Sequence, residues 1–235
     1  MRAINDRLFP SLNIRNPYRP SKLMGLVAAA LLLAAQAWAD LAPAQIDQSV
    51  LISPTTTSLA VSGDQSLSQT FVVLVTGFMT RIDLQMGRRA SVAPLQFELR
   101  RTSGGSPDLS PQALLYSSLL DPNLFPVSTF PSTFTAAITL GAGGVPVTHG
   151  DRLAIVCSTT GDWYNWSSSG GDFYPYGSTF WKPASHTTFS ELSGTDVGFQ
   201  TWIAVPEPAG LLPLGLAAVL IRRRGARGFQ IIRFR

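Results

Sequence analysis

The chain has a single cysteine, Cys157, among 235 residues. A secreted module stapled by disulfides is therefore excluded, and stability has to come from a hydrophobic core. Histidine is almost as scarce. His149 and His186 are the only two, and neither has a second His or a Cys at metal-ligand spacing, so zinc finds no support. No Gly-x-Ser-x-Gly elbow occurs, no Asp-x-Asp-x-Asp loop, and no recognisable frame pairs Glu98 or Glu191 with an aspartate for glycoside hydrolysis. An amphipathic helix is missing too: outside two apolar end segments, no window of a dozen residues carries an apolar 3.6-residue period.

Charge is sparse and unevenly placed. The formal net charge of +4 looks like that of a nucleic-acid binder, but its position argues otherwise. Of the 18 basic residues, five precede residue 23 and six follow residue 221. That leaves seven against the twelve acidic residues between Asp40 and Asp196, a net of −5. The middle of the chain is mildly acidic, and nucleic acid is not an expected partner.

What is present in the middle is a period of two. Phe78, Ile82, Leu84 and Met86 alternate with Met79, Arg81, Asp83 and Gln85. Leu95, Phe97 and Leu99 alternate with Gln96, Glu98 and Arg100, and Phe134, Ala136, Ile138 and Leu140 with Thr133, Thr135 and Thr139. Each reads as a strand with one buried and one wet face. Thr70–Val75 and Leu153–Cys157 are apolar on both faces and predict central strands, with Cys157 a buried small hydrophobe rather than a catalytic thiol. Thr195–Ala204 would close the domain with Val197, Phe199 and Ile203 on one face; Leu114–Leu120 is compatible with a helical turn. Gly, Pro, Ser and Asp clusters such as Thr102–Asp108 and Gly141–Pro146 supply the turns. The expected fold class is all-β: an antiparallel β-sandwich, jelly-roll-like, over residues 40–204.

Three groups of residues invite a chemical reading. Trp163, Tyr164, Trp166, Tyr174, Tyr176 and Trp181 crowd one Gly/Ser/Asp-rich stretch with Phe173 and Phe180. Such rings either fill the sandwich or stack on sugar faces, which would suit an exopolysaccharide partner. Asp151, Asp162, Asp172 and Asp196 lie in or beside loops and are weak calcium candidates, with turn formation as the commoner use of Asp there. A Ser-His-Asp set assembled in space would make a hydrolase, although no local signature marks one. No cofactor is expected.

Both ends read as targeting segments. Met1–Lys22 is basic, Leu23–Ala35 is an almost unbroken apolar run, and Ala37-Trp38-Ala39 places small residues before Asp40. This is the order of a secretory signal peptide, with cleavage expected after Ala39. At the other end Val205-Pro206-Glu207-Pro208 precedes the uncharged run Ala209–Ile221 and then Arg222-Arg223-Arg224. As a helix that run spans roughly 20 Å, short of the ~30 Å hydrocarbon core, and Pro213 and Gly215 weaken it further. The three arginines would stay cytoplasmic. A short span of this kind suits a segment that pauses in the inner membrane better than a permanent anchor.

The tail, residues 205–235, resembles the PEP-CTERM sorting signal of Gram-negative bacteria, with Pro206, Glu207 and Pro208 matching its motif residue for residue. The resemblance implies processing by an exosortase-type membrane transpeptidase and delivery to the cell surface or extracellular matrix. Residues 225–235 extend beyond the usual end of such tails. In the middle, Ser68-Gln69-Thr70-Phe71, Phe97-Glu98-Leu99-Arg100, Gly105-Ser106-Pro107, Gly150–Val156 and Phe199-Gln200-Thr201-Trp202 look like the choice-of-anchor surface domains of bacteria. That resemblance implies a β-sandwich and no particular activity. The combined expectation is an exported, non-enzymatic display or structural protein.

Overall fold

A computed structural model describes residues 42–53, 57–89, 93–131, 133–161 and 163–206. The expected signal helix within residues 1–39 and the short apolar helix at 209–221 lie outside these residues. The described part is all-β, with no α-helix among the described residues and only antiparallel pairing between its strands.

One layer is a seven-stranded sheet. Its path runs β14 (Ser190–Leu192), β13 (Thr179–Pro183), β3 (Gln65–Val72), β11 (Arg152–Ser158), β6 (Leu95–Ser103) and β7 (Ser106–Pro107), with β8 (Leu114–Leu120) also on β6. Its inner face follows the period of two. Leu95, Phe97 and Leu99 are buried, and Ile155 and Cys157 stand opposite Leu99 and Phe97. The central position of β3 and β11 agrees with their two-sided apolar sequences, although β3 begins earlier than the apolar run and ends at Val72. Leu114–Leu120, compatible with a helical turn on sequence grounds, is instead a strand, preceded by a single 3-10 turn at Pro111–Ala113. Its backbone groups find partners on β6, which outweighs local preference.

The other layer is built from two sheets that continue into each other. β1 (Gln45–Val50), β16 (Phe199–Ala204), β4 (Gly77–Leu84), β9 (Ala136–Thr139) and β10 (Val145–Val147) form the first. β15 (Asp196–Val197), β12 (Tyr164–Ser169), β2 (Thr57–Val61) and β5 (Met86–Arg88) form the second. The chain passes from β4 to β5 through Gln85 and from β15 to β16 through Gly198. Hydrogen bonds Gln85 N to Gly198 O (3.0 Å), Gly198 N to Ser167 O (2.9 Å) and Ser167 N to Gln85 O (3.0 Å) bridge the seam. A Cβ at Gly198 would sit 2.2 Å from the Gln85 Oε1, so a side chain there would break the junction. The two layers share one core, in which Phe71 of β3 meets Phe199 of β16 at 5.6 Å between ring centroids.

Strand β4 corrects the expected alternation. Met79, placed on the wet face from sequence, is fully buried and Phe78 only partly so, while Ile82 and Leu84 are buried as expected. The pairing explains the switch: Met79 faces Ile203 and Arg81 faces Trp202, leaving Thr80 as the extra residue of a bulge. One inserted residue exchanges the faces of everything on its far side. Asp83 and Gln85 are also buried rather than wet. Asp83 accepts from Arg81 Nε (2.6 Å) and Trp202 Nε1 (2.8 Å). Gln85 accepts from Ile52 N (2.8 Å) and donates to the Ile52 and Pro131 carbonyls (2.6 and 2.8 Å). These bonds are what make polar burial tolerable.

Candidate functional site

The aromatic stretch divides between interior and surface. Tyr164 and Trp166 lie on β12, paired with β2 on one side and β5 on the other, and both rings are closed off from solvent. Trp166 Nε1 donates to the Gly198 carbonyl (2.8 Å) and the Tyr164 hydroxyl to the Ala93 carbonyl (2.7 Å). Burial pushes the Tyr164 hydroxyl pKa up to about 12. Tyr174 is buried against Phe199, and its hydroxyl accepts from Val72 N (3.3 Å). Trp181 packs half-buried on the core. The rings with an open face are Trp163, Phe173 and Tyr176, at 42%, 71% and 54% exposure. Trp163 is covered in part by the Arg89 guanidinium, 3.9 Å from its ring centroid. Any sugar contact through this stretch is therefore confined to those three rings.

The loop between β12 and β13 carries Phe173 and Tyr176, and Asp196 holds it. That carboxylate is 1% exposed and accepts from Phe173 N and Tyr174 N at Oδ2, both at 2.8 Å, and from Gln69 Nε2 at Oδ1 (3.2 Å). Burial pushes its pKa above the ordinary carboxylate value, and the nearby Asp172 adds to the rise against those hydrogen bonds. Gln69 in turn accepts from Thr179 Oγ1 (2.6 Å) and Val197 N (3.1 Å) and donates to the Thr70 carbonyl (3.1 Å). This closed network ties β3, β13 and β15 to one loop. Asp196 thus serves as an anchor rather than as an open ligand.

Beside Tyr176 lies a cleft of about 240 Å³. The registers place it on the outer face of the seven-stranded sheet. Thr70, Arg152, Phe180 and Glu191 share the face opposite the core residues Phe71 and Leu153, with Phe180 directly across from Glu191. The Gly104-Gly105-Ser106 turn forms another wall, its two glycines at φ +59° and +87°. Gly177 lets the loop come down on β3: a Cβ there would lie 1.8 Å from the Thr70 carbonyl oxygen. Arg152 and Glu191 are exposed, and neither side chain has a hydrogen-bond or ion-pair partner among the described residues. Of this set the sequence offered Tyr176 and Phe180 as aromatic candidates and Glu191 only as a carboxylate without a recognisable frame. The Ser103–Ser106 turn was legible as a turn, but nothing local relates it to Arg152 or Glu191.

The remaining candidates are scattered. Asp151 accepts from Thr148 N (2.8 Å) in the turn before β11. Asp172 is exposed, and Asp162 lies outside the described residues. No cluster of three or more His, Cys, Asp and Glu side chains occurs among the described residues. His149 N and His186 N donate to Thr76 Oγ1 (2.9 Å) and the Pro183 carbonyl (2.9 Å) in separate turns. Cys157 is fully buried, which raises its thiol pKa, with Glu98 adding to the effect. Of the sorting motif, Val205 packs on the core and its carbonyl accepts from Ala42 N (3.2 Å), and Pro206 follows; Glu207, Pro208, Arg222, Arg223 and Arg224 lie outside the described residues. The sequence matches no protein-family model and no curated protein.

Proposed function

We propose that this is an exported bacterial surface or matrix protein: a signal peptide to Ala39, a jelly-roll-type sandwich over 40–204 and an exosortase-type sorting tail over 205–235. The observation that carries the proposal is the order Pro206-Glu207-Pro208, uncharged Ala209–Ile221, Arg222-Arg223-Arg224. The geometry of the folded part supports it. The last strand among the described residues ends at Ala204, just ahead of Pro206, and the Val205 carbonyl is tied to Ala42. The inner membrane is a transient partner, the transpeptidase a processing partner, and the role of the sandwich is display rather than catalysis. Mass spectrometry of the protein from its native host tests this at both ends. The expected mature species begins at Asp40 and lacks the residues beyond the sorting motif. A species that retains residues 209–235 overturns the sorting assignment.

A second reading, contact with exopolysaccharide, is favoured by one observation: Tyr176 presents an open ring at the rim of a cleft lined by hydroxyls and by two unpaired charges. Retention of the protein on polysaccharide gels, compared between wild type and a Tyr176→Ala variant, tests it.

A further inference from the structure

We infer that the cleft between the Gly104–Ser106 turn and the Pro175–Ser178 loop is a binding site for a neutral pyranose unit of a polysaccharide. Tyr176 is the stacking platform, and Arg152 and Glu191 are the hydroxyl partners. The inference rests on the saccharide reading above and gives it a place and a ligand class.

The platform is fixed before any ligand arrives. Tyr176 is half open, yet its neighbour Tyr174 is buried and meets it edge to face at 5.8 Å. Two hydrogen bonds to Asp196 hold the segment just before it, and Gly177 seats the segment just after it on Thr70. Ordering a loop on binding subtracts from affinity, so a ring held in advance is worth more than the same ring on a loose loop.

The polar walls select the ligand's charge and chemistry. Arg152 offers only donors and Glu191, when ionised, only acceptors. The two do not pair with each other. A hydroxyl donates and accepts, so a ring bearing several hydroxyls satisfies both walls at once, while its apolar C–H face lies on Tyr176. A uronate would satisfy Arg152 and oppose Glu191. The net charge of −5 between Asp40 and Asp196 also disfavours a polyanion. Size fits as well. At about 240 Å³ the cleft falls below the ~300–1,000 Å³ of sites for drug-sized ligands, which leaves room for one or two sugar rings at a time. With Tyr176, Arg152 and Glu191 all exposed, the rest of a longer chain runs out to solvent.

Titration of the full-length protein with neutral glucan, galactan and mannan oligosaccharides, beside oligouronates, tests the inference. At least one neutral series is expected to bind. Tyr176→Ala and Glu191→Gln should each weaken that binding roughly tenfold or more, Tyr176→Phe should stay within about twofold, and Trp163→Ala and Phe173→Ala should bind as wild type. Thermal melts of the Tyr176 and Glu191 variants should match wild type, because each changes an exposed side chain. Binding confined to uronates overturns the inference. Neutral-sugar binding that survives Tyr176→Ala but is lost in Trp163→Ala or Phe173→Ala overturns the cleft and leaves the saccharide reading standing. Binding of none of the probes removes both.

Discussion

Trp166 stands on β12 with its ring enclosed and its Nε1 on the Gly198 carbonyl, whereas Tyr176 stands on the following loop with half its surface open. The two come from one aromatic stretch of similar composition. Pairing separates them: β12 has neighbours on both edges, so its side chains enter the core, while the loop from Gly170 to Ser178 is fixed by a carboxylate from outside it. Aromatic density alone therefore does not mark a binding surface. The rings to ask about are those whose support is polar and whose faces are bare.

The largest expected effect breaks or keeps this contrast directly. Trp166→Ala should cost ~3–5 kcal/mol, mainly through the cavity, since the Gly198 carbonyl keeps Gln85 N as a donor. At ~2–4 °C per kcal/mol for a domain of this size, the drop in Tm is well resolved by calorimetry. Tyr176→Ala should stay within about 0.5 kcal/mol in the same experiment. Equal effects would erase the distinction between the two halves of the stretch.

Next comes the loop's anchor. Asp196→Ala leaves Tyr174 N without an acceptor, reduces Phe173 N to the Gly171 carbonyl and Gln69 Nε2 to the Thr70 carbonyl, and should cost about 1–3 kcal/mol. Hydrogen exchange of the Phe173 and Tyr174 amides should accelerate more than that of Tyr164. Uniform acceleration would mean that the carboxylate supports the whole sandwich rather than the loop.

A smaller effect is read in pH. Burial raises the Asp196 pKa above the ordinary 3.8, so its contribution to stability is full below that value and is lost as pH rises through the folded-state pKa. Asp47 shifts the same way by burial, against hydrogen bonds from Leu74, Val75, Thr201 and Gln48. Urea melts between about pH 3 and 7 should show Asp196→Asn with a flatter profile than wild type, Asp47 supplying the remainder. Parallel profiles would show that the donors fully offset desolvation at Asp196.

The smallest effect belongs to the exposed ring that leans on a cation. Arg89→Ala should remove ~0.5–1 kcal/mol by chemical denaturation, the scale of a solvent-exposed cation–π contact. A loss beyond that would mean Trp163 is integrated with the core after all.

The inner faces of β6 and β11 were readable in the sequence because Leu95, Phe97 and Leu99 alternate cleanly and Leu153–Cys157 is apolar throughout. The switch at Thr80 was not, because a bulge depends on a partner strand far away in sequence. Asp83 and Gln85 read as solvent-facing since local patterning equates polarity with exposure; both are buried, as are Gln69 and Asp196, and each has a hydrogen bond to a group distant in sequence. Tyr176 and Phe180 were flagged by composition alone. Arg152 and Glu191 were invisible as neighbours because only the strand order of the larger sheet brings them to one cleft.

The antiparallel pairing of β1 with β16, closed by the Ala42–Val205 hydrogen bond, has a mechanical consequence. Tension applied between those two ends unzips the ladder one rung at a time, starting at Gln45 and Ile203, with little resistance at any instant. Tension between Val205 and a ligand at Tyr176 would run instead along β16 and β15 to Asp196 and through its bonds to Phe173 N and Tyr174 N. Should the tail tether and the saccharide ligand proposed above both hold, the Asp196 carboxylate is the link that carries load between them.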